Sequence, residues 1–337
     1  MSDLQALIGQ HFAYAHGRMG VLKQLLLDKS DVDRLLGSHS LREVEKILTE
    51  LKMTNVIDQG ISEGRAILEA VGSWMRGEVE QMSPISHRPI FHILWLEGDA
   101  PLLAYFLKKH HGLNLDLGRE PVSHFNAYDP DALRALVLDD VAGLLPSRLV
   151  EFVREIRAKE GQTAQEIDNA VAQYIAQTQS ALARTSGSKD IRQFLAHRID
   201  LQNIRTTLRL IRDGIDDRTS FLLEGGTIST NEFAGSIQDL IKTIERSSLA
   251  FYLPSNLEEV LGDTIEFERN AAYLIASDIS KMWNVPLSIE PLFAFAAITI
   301  AQLQLIRTIL ITKANELSPQ QIKRVLPPFL SASSFLT

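Results

Sequence analysis

Cysteine is missing altogether from the 337 residues. That excludes thiol nucleophiles, CxxC redox pairs, iron–sulfur clusters and Cys-ligated zinc, and it suits a reducing compartment. An excess of basic residues is missing too: 34 Lys+Arg stand against 42 Asp+Glu, a net charge of −8. A nucleic-acid backbone is repelled by such a chain, so no nucleic-acid partner is expected. The start, MSDLQALIGQHF, has acidic Asp3 where a signal peptide has a basic region, and no apolar stretch ends in a cleavage site. The expected location is therefore the cytoplasm. The longest uncharged apolar run, Pro291–Ile306, is only 16 residues, short of the roughly 18–20 needed to span a bilayer. Gln302 and Gln304 interrupt it and Arg307 closes it, which predicts a buried core helix.

Helical periodicity is what the chain does have. In LREVEKILTELK, apolar residues fall at 41, 44, 47, 48 and 51, the stripe of an amphipathic helix, and Ser40-Leu-Arg-Glu43 reads as a capping box at its start. The same stripe recurs at Leu133, Leu136 and Val137, and again at Phe233, Ile237, Leu240, Ile241 and Ile244. Breakers at Leu36-Gly37-Ser38, Ser83-Pro84, Pro89, Tyr128-Asp129-Pro130, Ser186-Gly187-Ser188, Gly225-Gly226, Pro254-Ser255 and Pro327-Pro328 cut the chain into helices. The predicted fold class is all-α.

Leu201-Gln-Asn-Ile-Arg205-Thr-Thr-Leu208 and Leu303-Gln-Leu-Ile-Arg307-Thr-Ile-Leu310 share six of eight residues at a separation of 102. About 101 residues earlier, Asp99-Ala-Pro-Leu-Leu103-Ala-Tyr-Phe-Leu107 lies over Asp200-Leu-Gln-Asn-Ile204-Arg-Thr-Thr-Leu208, with the apolar positions coincident and the Asp repeated. A polar stretch and a new helix follow each copy. Such a period is too long for a solenoid unit and predicts three similar helical subdomains, approximately 1–118, 119–225 and 226–337. Three like wedges imply a pseudo-threefold assembly with a central depression, a geometry suited to a protein shaft.

A search for chemistry is unproductive. The nine histidines, at 11, 16, 39, 87, 92, 110, 111, 124 and 197, include no pair in HExxH spacing, and although those at 87, 92, 110, 111 and 124 are dense enough to converge, no metal site is expected. Gly225-Gly226 lacks the lysine and the preceding strand of a phosphate loop, so it reads as a turn. GxSxG is absent. Adjacent acids such as Asp31/Asp33, Asp139/Asp140, Asp216/Asp217 and Glu258/Glu259 read as solvated faces. Arg205 and Arg307, each inside an apolar stripe, are expected to need a carboxylate or carbonyl partner.

The stretch Asp200-Leu-Gln-Asn203-Ile-Arg205 with Leu208-Arg209 resembles the D-x-x-N-[IL]-[KR]-x-x-[IL]-R motif of a central-stalk family of the V-type and archaeal A-type ATPases, known as the C subunit in prokaryotes and the d subunit in eukaryotes. Tyr14-Ala-His-Gly-Arg18 before Leu25-Leu26 and Asp33-Arg-Leu35-Leu36 is similar to that family's opening. Phe221-Leu-Leu-Glu-Gly225-Gly226, Glu268-Arg269, the Trp283–Leu292 segment, Ile306-Arg307-Thr-Ile-Leu310 and Leu317-Ser-Pro-Gln-Gln-Ile322 resemble later parts of it. Where the family's last core helix carries Tyr, Lys and Glu ahead of its Arg, this chain has Phe295, Thr299 and Gln302. Leu102 and Ala104 stand where Asn203 and Arg205 stand in the second repeat, so the chain reads as a divergent member.

The resemblance implies a three-part funnel without catalysis, metal or cofactor. It implies a rotor socket, present once per complex, between the axle subunits and the membrane proteolipid ring. Such a socket serves ATP-driven or ATP-producing ion transport and meets the membrane only through the ring. Arg18, Asn203, Arg205, Gln302 and Arg307 are the candidate partner-binding or scaffold residues. The acidic net charge suggests a basic shaft or basic ring loops as the complement. The alternative is a cytoplasmic helical adaptor of the same ancestry serving another partner.

Overall fold

A computed structural model describes residues 2–113, 120–121, 125–215, 218–253, 257–260, 265–326 and 329. The described residues form helices and connecting turns, without a strand. In chain order the helices are α1 (Ser2–Leu22), α2 (Lys29–Gly37), α3 (Leu41–Glu50), α4 (Gly64–Met82), α5 (His92–His110), α6 (Pro130–Asp139) and α7 (Ser147–Ala158). They continue as α8 (Ala164–Thr185), α9 (Lys189–Arg212), α10 (Ile237–Arg246), α11 (Leu257–Val260), α12 (Ile265–Trp283), α13 (Glu290–Ala314) and α14 (Pro319–Val325). The chain divides into two compact units, one of residues 1–88 with 251–337 and one of residues 89–250.

In the first unit, α13 packs against α4 and α12, with α1 and α3 also against it. Helix α4 offers Ile67, Val71, Met75 and Val79, spaced every four residues, while Phe293, Phe295, Ile298, Ile306 and Ile309 of α13 are buried with them. Each such side chain taken from water contributes roughly 1.5–3 kcal/mol, which is why α13, apolar on nearly every side, lies in a core. By length and composition Glu290–Ala314 and Ile85–His110 could each cross a membrane, yet most of each apolar window is buried inside the protein. The expected core helix over Pro291–Ile306 is therefore observed. Arg18 of α1 reaches Glu78 of α4 with two hydrogen bonds of 3.0 and 3.2 Å, and Lys313 at the end of α13 donates to the carbonyls of Leu36 (3.2 Å) and Ser38 behind α2.

In the second unit the core joins Leu103, Phe106 and Leu107 of α5 to Leu133, Leu136 and Val137 of α6, Leu149 and Val153 of α7, and Ile167 and Val171 of α8. Helix α8 starts at a reciprocal capping box, Thr163 with Glu166, and Gln179 within it donates to the Ile93 carbonyl at 2.7 Å.

Local predictions hold with two differences. At α3, Ser40 accepts from the Glu43 amide as a cap should, but the Glu43 carboxylate accepts from the His39 N–H, one residue upstream of the cap. The stripe from Phe233 to Ile244 is not one helix. A 3-10 turn, Thr230–Phe233, precedes α10, because Ser236 and Asp239 close a capping box that starts the helix afresh at Ile237. Among the breakers, Pro254-Ser255 and Pro327-Pro328 lie outside the described residues.

Candidate functional site

The similar segments sit on helices α5, α9 and α13, and each helix buries a polar residue at the matching position: Asp99, Asp200 and Gln302. A buried carboxylate or amide is costly unless its hydrogen bonds are made. Here each is satisfied by the backbone of a loop. Asp99 accepts from the amides of Ala127 (2.9 Å) and Tyr128 (3.4 Å) and from the Asn126 side chain (3.1 Å). Asp200 accepts from the amides of Thr227 (2.9 Å) and Ile228 (3.1 Å) and from the Thr227 hydroxyl. In both helices the bound loop begins 27 residues after the acid.

Gln302 completes the set from the other end of the chain. Its amide oxygen accepts from the Leu27 N–H at 2.9 Å and its amide nitrogen donates to the Leu27 carbonyl at 3.3 Å. The clasped residues Leu27, Ala127 and Thr227 are thus spaced 100 residues apart. Leu27 and the Ala127-Tyr128 pair directly precede the N-caps of the short helices α2 and α6, whereas Thr227 and Ile228 lie just before the 3-10 turn Thr230–Phe233 that separates them from α10.

Asn203, one helical turn beyond Asp200, repeats the amide pattern. Its oxygen accepts from the Leu223 N–H and its nitrogen donates to the Leu223 carbonyl, both at 2.8 Å. Together Asp200 and Asn203 hold both sides of the Gly225-Gly226 turn, which is why glycine stands there. A Cβ on Gly226 would lie 2.0 Å from Asp200 Oδ1. Gly225, at φ +106°, would put one 2.6 Å from Ser180 Oγ. Burial pushes the Asp200 carboxyl above the ordinary carboxylate range, and the hydrogen bonds from Thr227 and Ile228, with the nearby His197, only partly offset that.

The predicted residues fall into different environments. Asn203 and Gln302 are fully buried clasps. Arg18 is half-buried, and the hydrogen bond and charge of Glu78 hold its guanidinium above the usual arginine range. Arg205 is half-buried on α9, whereas Arg307 is exposed on α13, so the expectation of a core-facing guanidinium does not describe it. Thr299 bonds to the Phe295 carbonyl of its own helix. The carboxylates Asp99 and Asp200 had one signal in the sequence, the recurrence of Asp at the start of two repeats; the clasped loops carry no motif of their own.

The histidines are scattered. His87 meets Phe12 edge-on at 5.6 Å, His92 meets Tyr128, His111 donates to the Ile156 carbonyl at 3.1 Å, and His197 shares a 3.0 Å hydrogen bond with Ser248. His124 lies outside the described residues, as do Asp216 and Asp217. Among the described residues no three His, Asp or Glu side chains gather as a metal site. Asp31 and Asp140 serve helix ends, the latter paired with Arg154 and Arg157.

The described residues thus define an all-α protein in which α5, α9 and α13 each clasp a loop through a buried polar residue. A family model described as ATP synthase (C/AC39) subunit matches residues 15–325, and the chain belongs to that family. The C subunit of the A-type ATP synthase of Haloferax volcanii is 30% identical over 148 residues, 41% of this chain and 42% of the relative. The match thus spans about two fifths of that relative's length.

Proposed function

We propose that this chain is the non-catalytic central-stalk subunit of a V/A-type rotary ATPase. In this reading it forms a socket that joins the axle subunits to the membrane proteolipid ring. The match to the family from residue 15 to 325 is the observation that carries the proposal. It is located on the cytoplasmic side of the membrane, held there through the complex. The repeat geometry supports the same reading: torque passes only through a stiff body, and buried polar clasps between close-packed helices and their loops resist deformation. We infer from the recurring sequence segments three similar helical stretches, divided at about residues 118 and 225.

A tagged copy purified from gently solubilised membranes of the native host tests this. Recovery of axle, proteolipid and catalytic subunits, identified by mass spectrometry, is the expected result. Recovery of soluble, unrelated proteins alone would sink it.

A further inference from the structure

Exposed aromatic side chains scattered singly are ordinary, but two that flank one cleft call for an explanation. In the unit of residues 1–88 and 251–337, a cavity of about 670 Å³ opens between α12 and the Phe251-Tyr252 segment that precedes α11. Its floor is one face of α12: Asn270, Tyr273, Ser277 and Ser280, with Asn284 just past the helix end, follow one another in steps of three and four residues. Phe251 is 89% and Tyr273 62% exposed, so each ring leaves most of its surface free for a ligand. The opposite wall is fixed. The Tyr252 hydroxyl donates to Ser277 Oγ at 3.0 Å, and its ring meets Phe251 edge-on at 5.1 Å. The cavity has the volume of a small-molecule site.

We propose that this cavity binds the adenine ring of a nucleoside or nucleotide. Phe251 and Tyr273 offer π faces on which any planar base stacks, so selection falls to the polar lining. Among the described residues that lining holds no carboxylate, the partner of cytosine's amino group, and no arginine, the fork that reads guanine. It holds side-chain amides instead, and an amide both donates and accepts, matching the N6 donor and N7 acceptor along one edge of adenine. The Asn284 nitrogen already donates to the Ser280 carbonyl at 3.0 Å, which leaves Asn270 as the reader of that edge. The Ser280 hydroxyl stands in the same lining to meet a ribose. Lys281, which could otherwise approach guanine or a phosphate, is held 3.3 Å from buried Asp278, so the ring contributes more to binding than a phosphate tail does. The assignment uses only this lining and stands apart from the rotor reading.

The test is calorimetric titration of the purified full-length chain with adenosine, guanosine and uridine, with ATP as a competitor. Saturable binding of adenosine, tighter than that of the other two nucleosides, is expected. Displacement of adenosine by ATP identifies the ligand as a nucleotide, and its failure identifies the free nucleoside. Phe251→Ala and Tyr273→Ala should each weaken adenosine binding about tenfold, while Tyr273→Phe keeps the stacking face and most of the affinity. Asn270→Ala should narrow the preference for adenosine. Phe251 and Tyr273 are exposed, so unchanged thermal unfolding of their variants shows that folding is not the cause. No saturable adenosine binding below about 1 mM, equal affinity for the three nucleosides, or wild-type affinity in both alanine variants overturns the site. If the wild type ignores adenosine and the alanine variants lose binding to the axle subunits of the same host, the cleft is a protein contact and the proposal falls.

Discussion

A side-chain amide can do at Gln302 what a carboxylate cannot. Leu27 offers both its N–H and its carbonyl, so its partner must donate as well as accept, and glutamine is the long side chain that does both. Asp99 and Asp200 face backbone N–H groups and a side-chain donor, for which a carboxylate is suited. Gln302→Glu replaces the donor with an oxygen and leaves the Leu27 carbonyl facing it. The expected cost is about 1–3 kcal/mol for the unsatisfied group, more if the new acid stays ionised in the core. Amide hydrogen exchange in a peptide containing Leu27 should accelerate, with exchange around Thr227 unchanged, and equal protection at Leu27 in variant and wild type would refute the clasp. This residue stood out in the sequence only as a departure from the family's glutamate, and its partner, 275 positions away, had no local signature at all.

Elements were more legible, because helix starts and stops are local. The Tyr128-Asp129-Pro130 and Ser186-Gly187-Ser188 breakers bound α6, α8 and α9 where expected, whereas the stripe at Phe233 mistook a buried 3-10 residue for part of α10. Periodicity records which residues are buried, and Phe233 is buried, so the pattern alone could not show that Ser236 restarts the chain. Pairing between elements was hidden for a different reason. Glu97 on α5 and Arg198 on α9 occupy the same repeat position, two residues before Asp99 and Asp200, and they form an ion pair with each other. Each is about one-third exposed, so the coupling should be roughly 1 kcal/mol or less. A double-mutant cycle in chemical denaturation measures it: Glu97→Arg and Arg198→Glu should each destabilise the 89–250 unit, and the double reversal should recover most of the loss. Additive losses would mean that the pair contributes no coupling.

Over the whole molecule, acid should weaken the protein through His87. Burial holds its imidazole below the ordinary histidine range, with the Glu290 charge acting the other way. The unfolded chain takes up a proton near pH 6.5 while the folded one resists, so this contribution is complete above that pH and is lost as pH falls toward the depressed value. Asp200, shifted upward, has the opposite sign: the folded form keeps its proton to higher pH, so its stabilisation is greatest in acid and declines as pH rises through the raised value. Melting temperature should therefore decline from neutral pH to about 5.5, and His87→Phe, which preserves an aromatic partner for Phe12, should flatten that decline. An unaltered slope in the variant would assign the acid sensitivity elsewhere.

The largest feature of the molecule that the sequence concealed is that its beginning and end build one unit. Segments alike in sequence need not pack as units, because compactness is decided by which helices pack, and α13, which follows residues 89–250 in the chain, packs on α4, which precedes them. Residues 89–250 carry a continuous core of their own, from Leu103 on α5 to Ile167 and Val171 on α8. A fragment of these residues should thus fold cooperatively alone. Residues 1–88 lack α13, the helix that packs on α4, and each buried α4 side chain left exposed without it, such as Val71, Met75 or Val79, loses roughly 1.5–3 kcal/mol. They should remain unfolded alone and gain helix on mixing with 251–337, a change that circular dichroism reads directly. Gln302→Glu in the second fragment should weaken that complementation, since Leu27 and Gln302 then lie on separate chains. If 1–88 folds alone, or if mixing adds no helix, packing between the two ends of the chain is not what holds the first unit together.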